Sequence, residues 1–278
     1  MILRDRRDTA GTRVVATGVF DVDDLDADGD GDGADRHQAG ADGVEVFMLR
    51  RASTMEFAPR MMVFPGGGVD ARDGDPSLPW AGPSPADWGQ VLLTDEDTAR
   101  ELVVAAVREV FEECGVLLAG PDADSLVGDV TGPEWQAERQ RLLSRKVSLA
   151  QLLISRGLVL RSDLLRARAH WITPEFEPKR YDTRIFAATL PTGQIPDDHT
   201  SEADHADWAA PARLLQDYAS GLALMLPPTV VCVEQVSAAA SVADFLATES
   251  SMMAITPVLT QTDDAVVIRC VLPRLPAQ

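Results

Sequence analysis

Three glutamates, Glu109, Glu112 and Glu113, lie close together in the stretch Ala105–Val116. On a helix they share one face, while valines, a phenylalanine and a cysteine gather on the other side. Carboxylates so close on one helix repel one another. We therefore expect a cation between them, although an acidic face exposed to solvent is the competing interpretation.

A glycine-rich turn lies upstream of this helix. The apolar strand candidate Met61–Phe64 runs directly into Pro65-Gly66-Gly67-Gly68. Glycines allow a backbone to turn tightly or to approach a ligand closely. The helix and the turn together indicate a divalent metal beside a loop of a size that suits phosphate.

These two segments resemble the signature of the Nudix hydrolases. The second half of that signature reads Arg-Glu-apolar-any-Glu-Glu-any-Gly-apolar, and the chain matches it at every position from Arg108 to Val116. The resemblance implies an enzyme in which water attacks a phosphorus atom of a diphosphate. Such a reaction requires charge neutralisation and alignment, and no protein nucleophile.

The first half of the signature departs from the family pattern. Counting forward from Gly67 places Asp73 where the family has a glutamate. Counting back from Arg108 places Arg100 there, with Glu101 beside it. The counts differ because an insertion separates the glycine turn from the helix. The role of the first glutamate therefore falls to Asp73, to Glu101 or to neither.

The insertion resembles that of the coenzyme A diphosphatase-like subgroup of the family. The likeness extends roughly from Arg13 to Ala247. Its further elements are His170–Pro174 (HWITP), Lys179–Phe186 (KRYDTRIF), Trp208 before a helix, and Leu226–Thr229 (LPPT). The subgroup implies coenzyme A or acyl-coenzyme A as the substrate, cleaved to 3′,5′-ADP and (acyl-)4′-phosphopantetheine.

The resemblance assigns roles residue by residue. Glu109, Glu112 and Glu113 match the metal-binding glutamates of the family, and hard carboxylate oxygens suit Mg²⁺ or Mn²⁺. Arg108 matches the arginine that holds the carboxylates and the glycine loop in place. The pair Gly66-Gly67 shapes the turn that presents backbone to the metal and the substrate.

The general base is predicted on a later loop, His199–Asp207. A base must accept the proton of the attacking water, which a carboxylate or an imidazole can do. Among Glu202, Asp204 and His205 we prefer Glu202. Glu113 is the alternative.

Substrate phosphates need local positive charge, because the chain has a formal net charge of −19. Basic residues flank the signature on both sides: Arg50, Arg51 and Arg60 before it, and Lys179, Arg180 and Arg184 after it. Coenzyme A carries an extra 3′-phosphate, which arginine binds well. We predict Arg50 and Arg180 for this role.

The order of strands and helices predicts an α/β (α+β) fold, a Nudix-like α/β/α sandwich with a mixed sheet, extra helices and a C-terminal hairpin. Strands are predicted at Arg13–Asp21, Glu45–Arg51, Met61–Phe64, Ala167–Thr173 and Tyr181–Leu190. Helices are predicted at Asp95–Cys114, Glu134–Ser144, Ser148–Arg156, Pro211–Tyr218 and Thr229–Ala247. The hairpin combines Ser251–Thr260 with Ala265–Leu272. The central helix is expected to lie on the sheet with its acidic face outward.

We expect one Nudix domain with additions. These are a mobile acidic loop at 21–43, an insertion within the signature at 73–95, a helical insertion at 133–157, and a C-terminal extension at 227–278. The 73–95 insertion is predicted as a long loop with at most one helical turn. It would act as a lid, as a dimer contact or as filler.

The composition of the chain limits the classes of partner that it can have. The strongly negative charge argues against nucleic acid and anionic membranes. No apolar run reaches the length of a membrane span, and the N-terminal residues lack the apolar segment of a secretory signal. The cysteines Cys114, Cys232 and Cys270 are expected to be thiols in a reducing compartment, which we take to be the cytoplasm. The expected partner is a small nucleotide diphosphate substrate, with a homodimer kept open.

Two alternatives to coenzyme A hydrolysis remain. The first is a Nudix hydrolase of ADP-ribose, a dinucleotide or a nucleoside triphosphate. The second is a Nudix-fold binding module without catalysis, which the displaced first glutamate favours. Retention of all three acids from Glu109 to Glu113 favours an enzyme.

Overall fold

The computed structural model describes residues 1–5, 43–55, 58–197, 203–261 and 266–273. Its strands are β1 Ile2–Asp5, β2 Val44–Arg51, β3 Met62–Val63, β4 Trp80–Ala81, β5 Ala119–Gly120, β6 Val159–Arg161, β7 Leu165–Ile172, β8 Asp182–Thr189, β9 Ala203–Ala209, β10 Ala254–Ile255, β11 Val258–Gln261 and β12 Val266–Arg269. Its helices are α1 Pro85–Leu92, α2 Glu96–Cys114, α3 Pro133–Leu143, α4 Leu149–Arg156, α5 Pro211–Ala219, α6 Pro227–Ser237 and α7 Val242–Ala247. Single turns of 3-10 helix occupy Ala71–Gly74 and Ser162–Leu164.

A mixed sheet lies at the centre of the described part of the chain. Its strand order is β10-β7-β8-β1-β2-β3, and β9 also pairs with β2. The pairs β1–β8 and β10–β7 are parallel, whereas β1–β2, β2–β3, β2–β9 and β7–β8 are antiparallel. The predicted mixed sheet is therefore confirmed. A smaller sheet, β4-β6-β5, and the β11–β12 hairpin complete the strands.

The strand β1 is missing from the sequence prediction, although it lies in the middle of the sheet. Ile2 and Leu3 are fully buried and pair with β2 on one side and β8 on the other. A strand this short shows too little alternation to stand out from its sequence. The predicted strand Arg13–Asp21 and the acidic loop, apart from Gly43, lie outside the described residues.

The central helix α2 agrees with its prediction at both ends. The side chain of Asp95 accepts a hydrogen bond from the backbone N–H of Thr98, which caps the first turn. Gly115 ends the helix in the left-handed region, with φ 68°. Between these ends, Val103 and Val107 are completely buried in the core.

The 73–95 insertion is not the long loop that we predict from its sequence. It contains β4 and the two-turn helix α1. Ser84 and Asp87 cap the N-terminus of α1 with reciprocal hydrogen bonds. Trp88 of α1 packs edge-on against Phe186 of β8, with ring centroids 5.9 Å apart. Prolines and glycines obscure the helix in the sequence, yet the segment contributes buried side chains to the core.

The predicted helix Thr229–Ala247 is also wrong, because the structure divides it into α6 and α7. Ser241 caps α7, and the backbone N–H of Val242 donates to the carboxylate of Asp5 at 3.0 Å. A serine favours a helix start over a helix interior because its hydroxyl satisfies the free N–H groups there. Because the chain breaks between α6 and α7, the start of α7 can bind to the end of β1.

The predicted C-terminal hairpin forms in part. Ala254–Ile255, which we placed within the first hairpin strand, pairs with β7 as the edge of the main sheet. The hairpin itself is β11 with β12. The preceding Met252 is buried, so this part of the chain belongs to the core.

Helices cover the main sheet in a manner consistent with the predicted sandwich. α5 and α6 contact β2, α6 also contacts β7, and α7 contacts β1 and β8. α1 and α2 pack against each other, and α1 reaches β8 through Trp88. No helix in the described ranges has the length and apolar character that crossing a membrane requires.

Candidate active site

Arg108 of α2 joins the acidic face of the helix to the glycine turn. Its Nε and Nη2 donate to the two carboxylate oxygens of Asp73, each at 2.9 Å. Its Nη1 donates to Glu109 at 2.7 Å and to Glu112 at 3.0 Å, and Nη2 also donates to the carbonyl of Gly68 at 2.7 Å. All five guanidinium N–H groups are thus engaged. The predicted proximity of helix and glycine turn is observed.

The cluster around Arg108 is net negative, since three carboxylates face one guanidinium. Burial alone would lower the pKa of Arg108, but the hydrogen bonds with Asp73 and the charge of Glu109 outweigh it and raise that pKa. Burial raises the pKa of Glu112, although Arg108 favours its ionised form. The cluster would therefore be stabilised by a further cation.

The glycine turn lies in contact with Glu113 and Glu109. The backbone N–H of Gly66 donates to Glu113 at 2.6 Å. A Cβ on Gly67 would stand 2.6 Å from the carboxyl group of Glu109, closer than any side chain tolerates, whereas a Cβ on Gly68 would meet open space. A side chain at position 67 would therefore push the carboxyl group of Glu109 out of its present position.

The acidic face of α2 does not point outward as we expected. Glu109, Glu112 and Glu113 are 8%, 9% and 6% exposed. The turn Ala71–Gly74 packs against α2 and, together with the glycine turn, covers this face. The interpretation as a solvated surface is therefore wrong.

Asp73, one of the candidates for the role of the displaced first glutamate, lies against Arg108 of α2. It is 2% exposed, forms the two-pronged ion pair with Arg108, and accepts a hydrogen bond from the backbone N–H of Asp70 at 2.8 Å. Glu101 instead lies beside Gly74, where a Cβ would stand 3.1 Å from its carboxylate. Of the choices that the sequence leaves open, the geometry favours Asp73.

The predicted metal ligands do not converge in this arrangement. Within the described residues, no three His, Cys, Asp or Glu side chains are placed so that they could hold a metal ion. Glu109 and Glu112 are turned toward Arg108, and Glu113 toward the N–H of Gly66. The donor set still fits a hard divalent ion, because three buried carboxylates share one helix face. Their role as ligands remains a prediction.

A second buried arginine fixes the C-terminal end of α2. Arg139 of α3 donates through Nε to the carbonyl of Glu112 at 2.8 Å, and through Nη1 to both oxygens of Asp197 at 2.8 Å. The backbone N–H of Asp197 in turn donates to the carbonyl of Cys114 at 3.0 Å. Sequence reasoning missed both residues, because Arg139 stands among other charged residues in a helix with no motif.

A cavity of about 910 Å³ opens beside the acidic helix. The glycine turn, Glu109 and Glu112 form part of its wall. Basic side chains from separate parts of the chain also line it: Arg51, Arg72, Arg145, Lys179 and Arg184. The cavity therefore combines carboxylates with local positive charge, in a chain that is strongly negative overall.

Arg50 and Arg180, the predicted substrate-binding residues, are not among the described residues that line this cavity. Their sequence neighbours Arg51 and Lys179 line it instead. For Arg50 and Arg51 the reason is strand β2, where side chains alternate between two faces, so a shift of one position changes the face. Arg180 donates to the carbonyl of Thr173 at 3.0 Å. The substrate role of both arginines remains a prediction.

Asp182 at the start of β8 is a cavity residue that sequence reasoning missed. Its Oδ1 lies 2.7 Å from Nε2 of the buried His170 and also pairs with Arg184. His170 and Asp182 belong to the motifs HWITP and KRYDTRIF, which gave a family likeness without a role. These two motifs were therefore the sequence signal that could have identified the pair. In the structure they lie on the neighbouring strands β7 and β8.

The predicted base Glu202 lies outside the described residues, so its placement is not tested. Asp204 and His205 are described, but they belong to strand β9 and not to a loop. Asp204 accepts a hydrogen bond from the backbone N–H of Ser53 at 3.2 Å. Neither residue lines the cavity. Pairing with β2 explains the difference, because a short polar strand resembles a loop in sequence.

Comparison with known proteins gives one family model and several curated relatives. The model described as the NUDT19 Nudix domain matches residues 93–236. "Putative nudix hydrolase 7" of Caenorhabditis elegans is 28% identical over 194 residues, which cover 66% of this chain and 53% of that protein. "Acyl-coenzyme A diphosphatase NUDT19" of Homo sapiens is 28% identical over 240 residues, covering 73% and 63%.

The chain thus spans less than two thirds of the length of these relatives. Among solved structures, the crystal structure of a Nudix hydrolase from Alicyclobacillus acidocaldarius is similar, with a TM-score of 0.61 and 28% identity. That similarity covers 75% of this chain and 90% of the other. It confirms the predicted fold class.

Proposed function

The chain belongs to the Nudix family, in the group of the NUDT19 Nudix domain, and on that premise we propose that it hydrolyses the diphosphate of coenzyme A or acyl-coenzyme A. The products are 3′,5′-ADP and (acyl-)4′-phosphopantetheine. The observation that carries the proposal is the cavity in which basic side chains face the acidic helix. The printed names of the NUDT19 relatives support the choice of substrate.

The distribution of charge in the cavity suits a substrate with phosphates at more than one place. Arg51 comes from β2, Arg72 from the 3-10 turn, and Arg184 from β8, while Arg145 follows α3 and Lys179 precedes β8. A single diphosphate would engage only part of this set. The 3′-phosphate of coenzyme A supplies a further anion, and guanidinium groups pair with it through charge-assisted hydrogen bonds.

The chain's own residues position the reaction. Arg108 holds Glu109 and Glu112 against the turn, and the N–H of Gly66 orients Glu113. Nudix hydrolases generally use a divalent metal; one bound by the three glutamates would neutralise diphosphate charge and lower the pKa of water. Glu202, or alternatively Glu113, accepts the proton of the attacking water.

The metal assignment can be tested by binding alone. We expect Mn²⁺, followed by electron paramagnetic resonance, to bind the wild-type chain and to bind the Glu112→Gln and Glu113→Gln variants about tenfold or more weakly, because each loses an anionic ligand. Glu101→Gln is the matched control on the same helix. Equal Mn²⁺ affinity in all variants would exclude this ligand set.

The base assignment is tested by rates at saturating metal. If Glu202 is the base, Glu202→Gln lowers kcat by about a hundredfold or more, the usual size of a general-base contribution. Asp204→Asn, a neighbouring carboxylate outside the cavity, should leave kcat nearly unchanged. A mild effect of Glu202→Gln would transfer the role to Glu113.

The substrate choice is tested with a series that varies the phosphates. We expect kcat/KM to be highest for coenzyme A, lower by about tenfold or more for dephospho-coenzyme A, and low for ADP-ribose, since loss of one charged pair removes an interaction of that size. Arg145→Met should reduce this preference for the 3′-phosphate. Arg50→Met is the control and also tests the sequence prediction. A preference for ADP-ribose would contradict the proposal.

A further inference from the structure

A second cavity, of about 330 Å³, lies between β7 and the C-terminal helices. Among the residues that line it are Arg168 and Ala169 of β7, Val231 of α6, Phe245 of α7, and Glu249 and Ile255. These residues have none in common with the lining of the active-site cavity. Its volume falls at the lower end of the range for small-molecule sites, about 300–1,000 Å³.

Arg168 faces this cavity because β7 contains a bulge. Ala167 pairs with Phe186 and Ala169 pairs with Ile185, so Arg168 is an extra residue without a partner on β8. Neighbours on a regular strand point to opposite faces, yet Arg168 and Ala169 line the same cavity. Bulges re-aim side chains in this way and are frequent beside functional sites.

The guanidinium of Arg168 has no anionic partner within the described part of the chain. The residue is 4% exposed, its Nη1 donates to the carbonyl of Thr248 at 2.9 Å, and its charged end lies 4.2 Å from the ring centre of Phe245. Its Nε is buried and lacks a hydrogen-bond acceptor. Burial lowers the pKa of Arg168 to about 10, so it stays protonated at neutral pH. A buried cation without a counter-ion is costly, which indicates a missing anion.

The other residues that line the cavity limit which kind of anion can bind there. The walls are mainly alkyl and aromatic, with alanines, Val231, Phe245 and Ile255. Among the described residues that line it, Arg168 is the one cation and Glu249 is an acid, so a doubly charged phosphate would be repelled more strongly than a single carboxylate. We propose that this cavity binds a small monocarboxylate with an apolar body, its carboxylate on Arg168 and its body against α6 and α7. Carboxylate and guanidinium match in geometry as well as in charge.

Octanoate is a suitable probe, followed by isothermal titration calorimetry with the complete chain and without active-site substrate. We expect octanoate to bind the wild-type chain and to raise its Tm. Arg168→Met should weaken binding by about tenfold or more, the effect of losing a charge-assisted hydrogen bond. Arg166→Met removes a guanidinium from the same strand outside this cavity and should leave octanoate affinity unchanged.

Two further comparisons make the test independent of folding. Ala239→Phe keeps Arg168 but fills the apolar space, and should also abolish octanoate binding while the chain retains its circular dichroism spectrum. Octanol and acetate each lack one half of the proposed ligand and should bind about tenfold or more weakly. Equal affinity of octanoate for wild type and Arg168→Met, or of octanol and octanoate for wild type, would overturn the proposal. Coenzyme A hydrolysis is not needed for any outcome.

Discussion

Two buried arginines of this chain meet opposite surroundings. Arg108 is 6% exposed and Arg168 is 4% exposed, yet the pKa of Arg108 is raised while that of Arg168 falls to about 10. Burial acts alike on both. The difference arises because three carboxylates surround Arg108 and no described carboxylate pairs with Arg168. The Arg108 site therefore has an excess of negative charge, whereas the Arg168 site has a positive charge without an anion.

The same truncation at both arginines gives the largest expected contrast. Arg108→Met should lower the free energy of unfolding by about 3–5 kcal/mol, because it leaves buried carboxylates without their cation. Arg168→Met should change it by about 1 kcal/mol or less, since methionine relieves an uncompensated charge. Urea denaturation of both variants measures the difference. Equal losses would show that Arg168 has a structural role comparable to that of Arg108.

Substitution of Asp73, within the Arg108 cluster, is expected to give the next largest loss of stability. Asp73→Asn removes the charge that receives two guanidinium hydrogen bonds, and should cost about 1.5–3 kcal/mol of unfolding free energy. Glu101→Gln, at the rival position, should cost about 0.5 kcal/mol or less. The two variants are compared by thermal and urea unfolding. A larger loss for Glu101→Gln would reverse the assignment of the first signature glutamate.

The adjacent glycines allow a smaller but closely matched comparison. Gly67→Ala places a methyl group 2.6 Å from the carboxyl of Glu109, so this carboxyl must move, and the weakened hydrogen bond with Arg108 should cost about 1 kcal/mol. It should also displace Glu109 and lower hydrolysis. Gly68→Ala enters open space and should leave both properties nearly unchanged. Similar behaviour of the two variants would mean that the close contact is not required.

Sequence patterns predict those parts of the molecule whose signals are local. Helix α2 follows from its apolar period, from Asp95 at its start and from Gly115 at its end. Likewise α4 forms where a helix is predicted at Ser148–Arg156, and Ser148 and Gly157 cap its two ends. The contact between the glycine turn and the acidic helix follows from the family signature. These features depend on neighbours within a few residues, or on a motif, and so can be recognised without coordinates.

The remaining features depend on tertiary packing. Asp73 becomes the partner of Arg108 only because the start of the insertion folds into a 3-10 turn that packs against α2. The choice between Arg50 and Arg51 depends on which face of β2 borders the cavity, and one position reverses it. The bulge that turns Arg168 inward leaves no sequence pattern, because an extra strand residue is defined only by its partner strand.

Hydrolysis of coenzyme A tests the central claim most directly. With coenzyme A and Mg²⁺, followed by chromatography, the wild-type chain should release 3′,5′-ADP and 4′-phosphopantetheine. Glu112→Gln should lower this rate by about a hundredfold or more, because it removes charge that the phosphoryl-transfer site requires, whereas Glu101→Gln should retain it. Absence of both products from the wild type, with Mn²⁺ demonstrably bound, would contradict the account and favour a binding module.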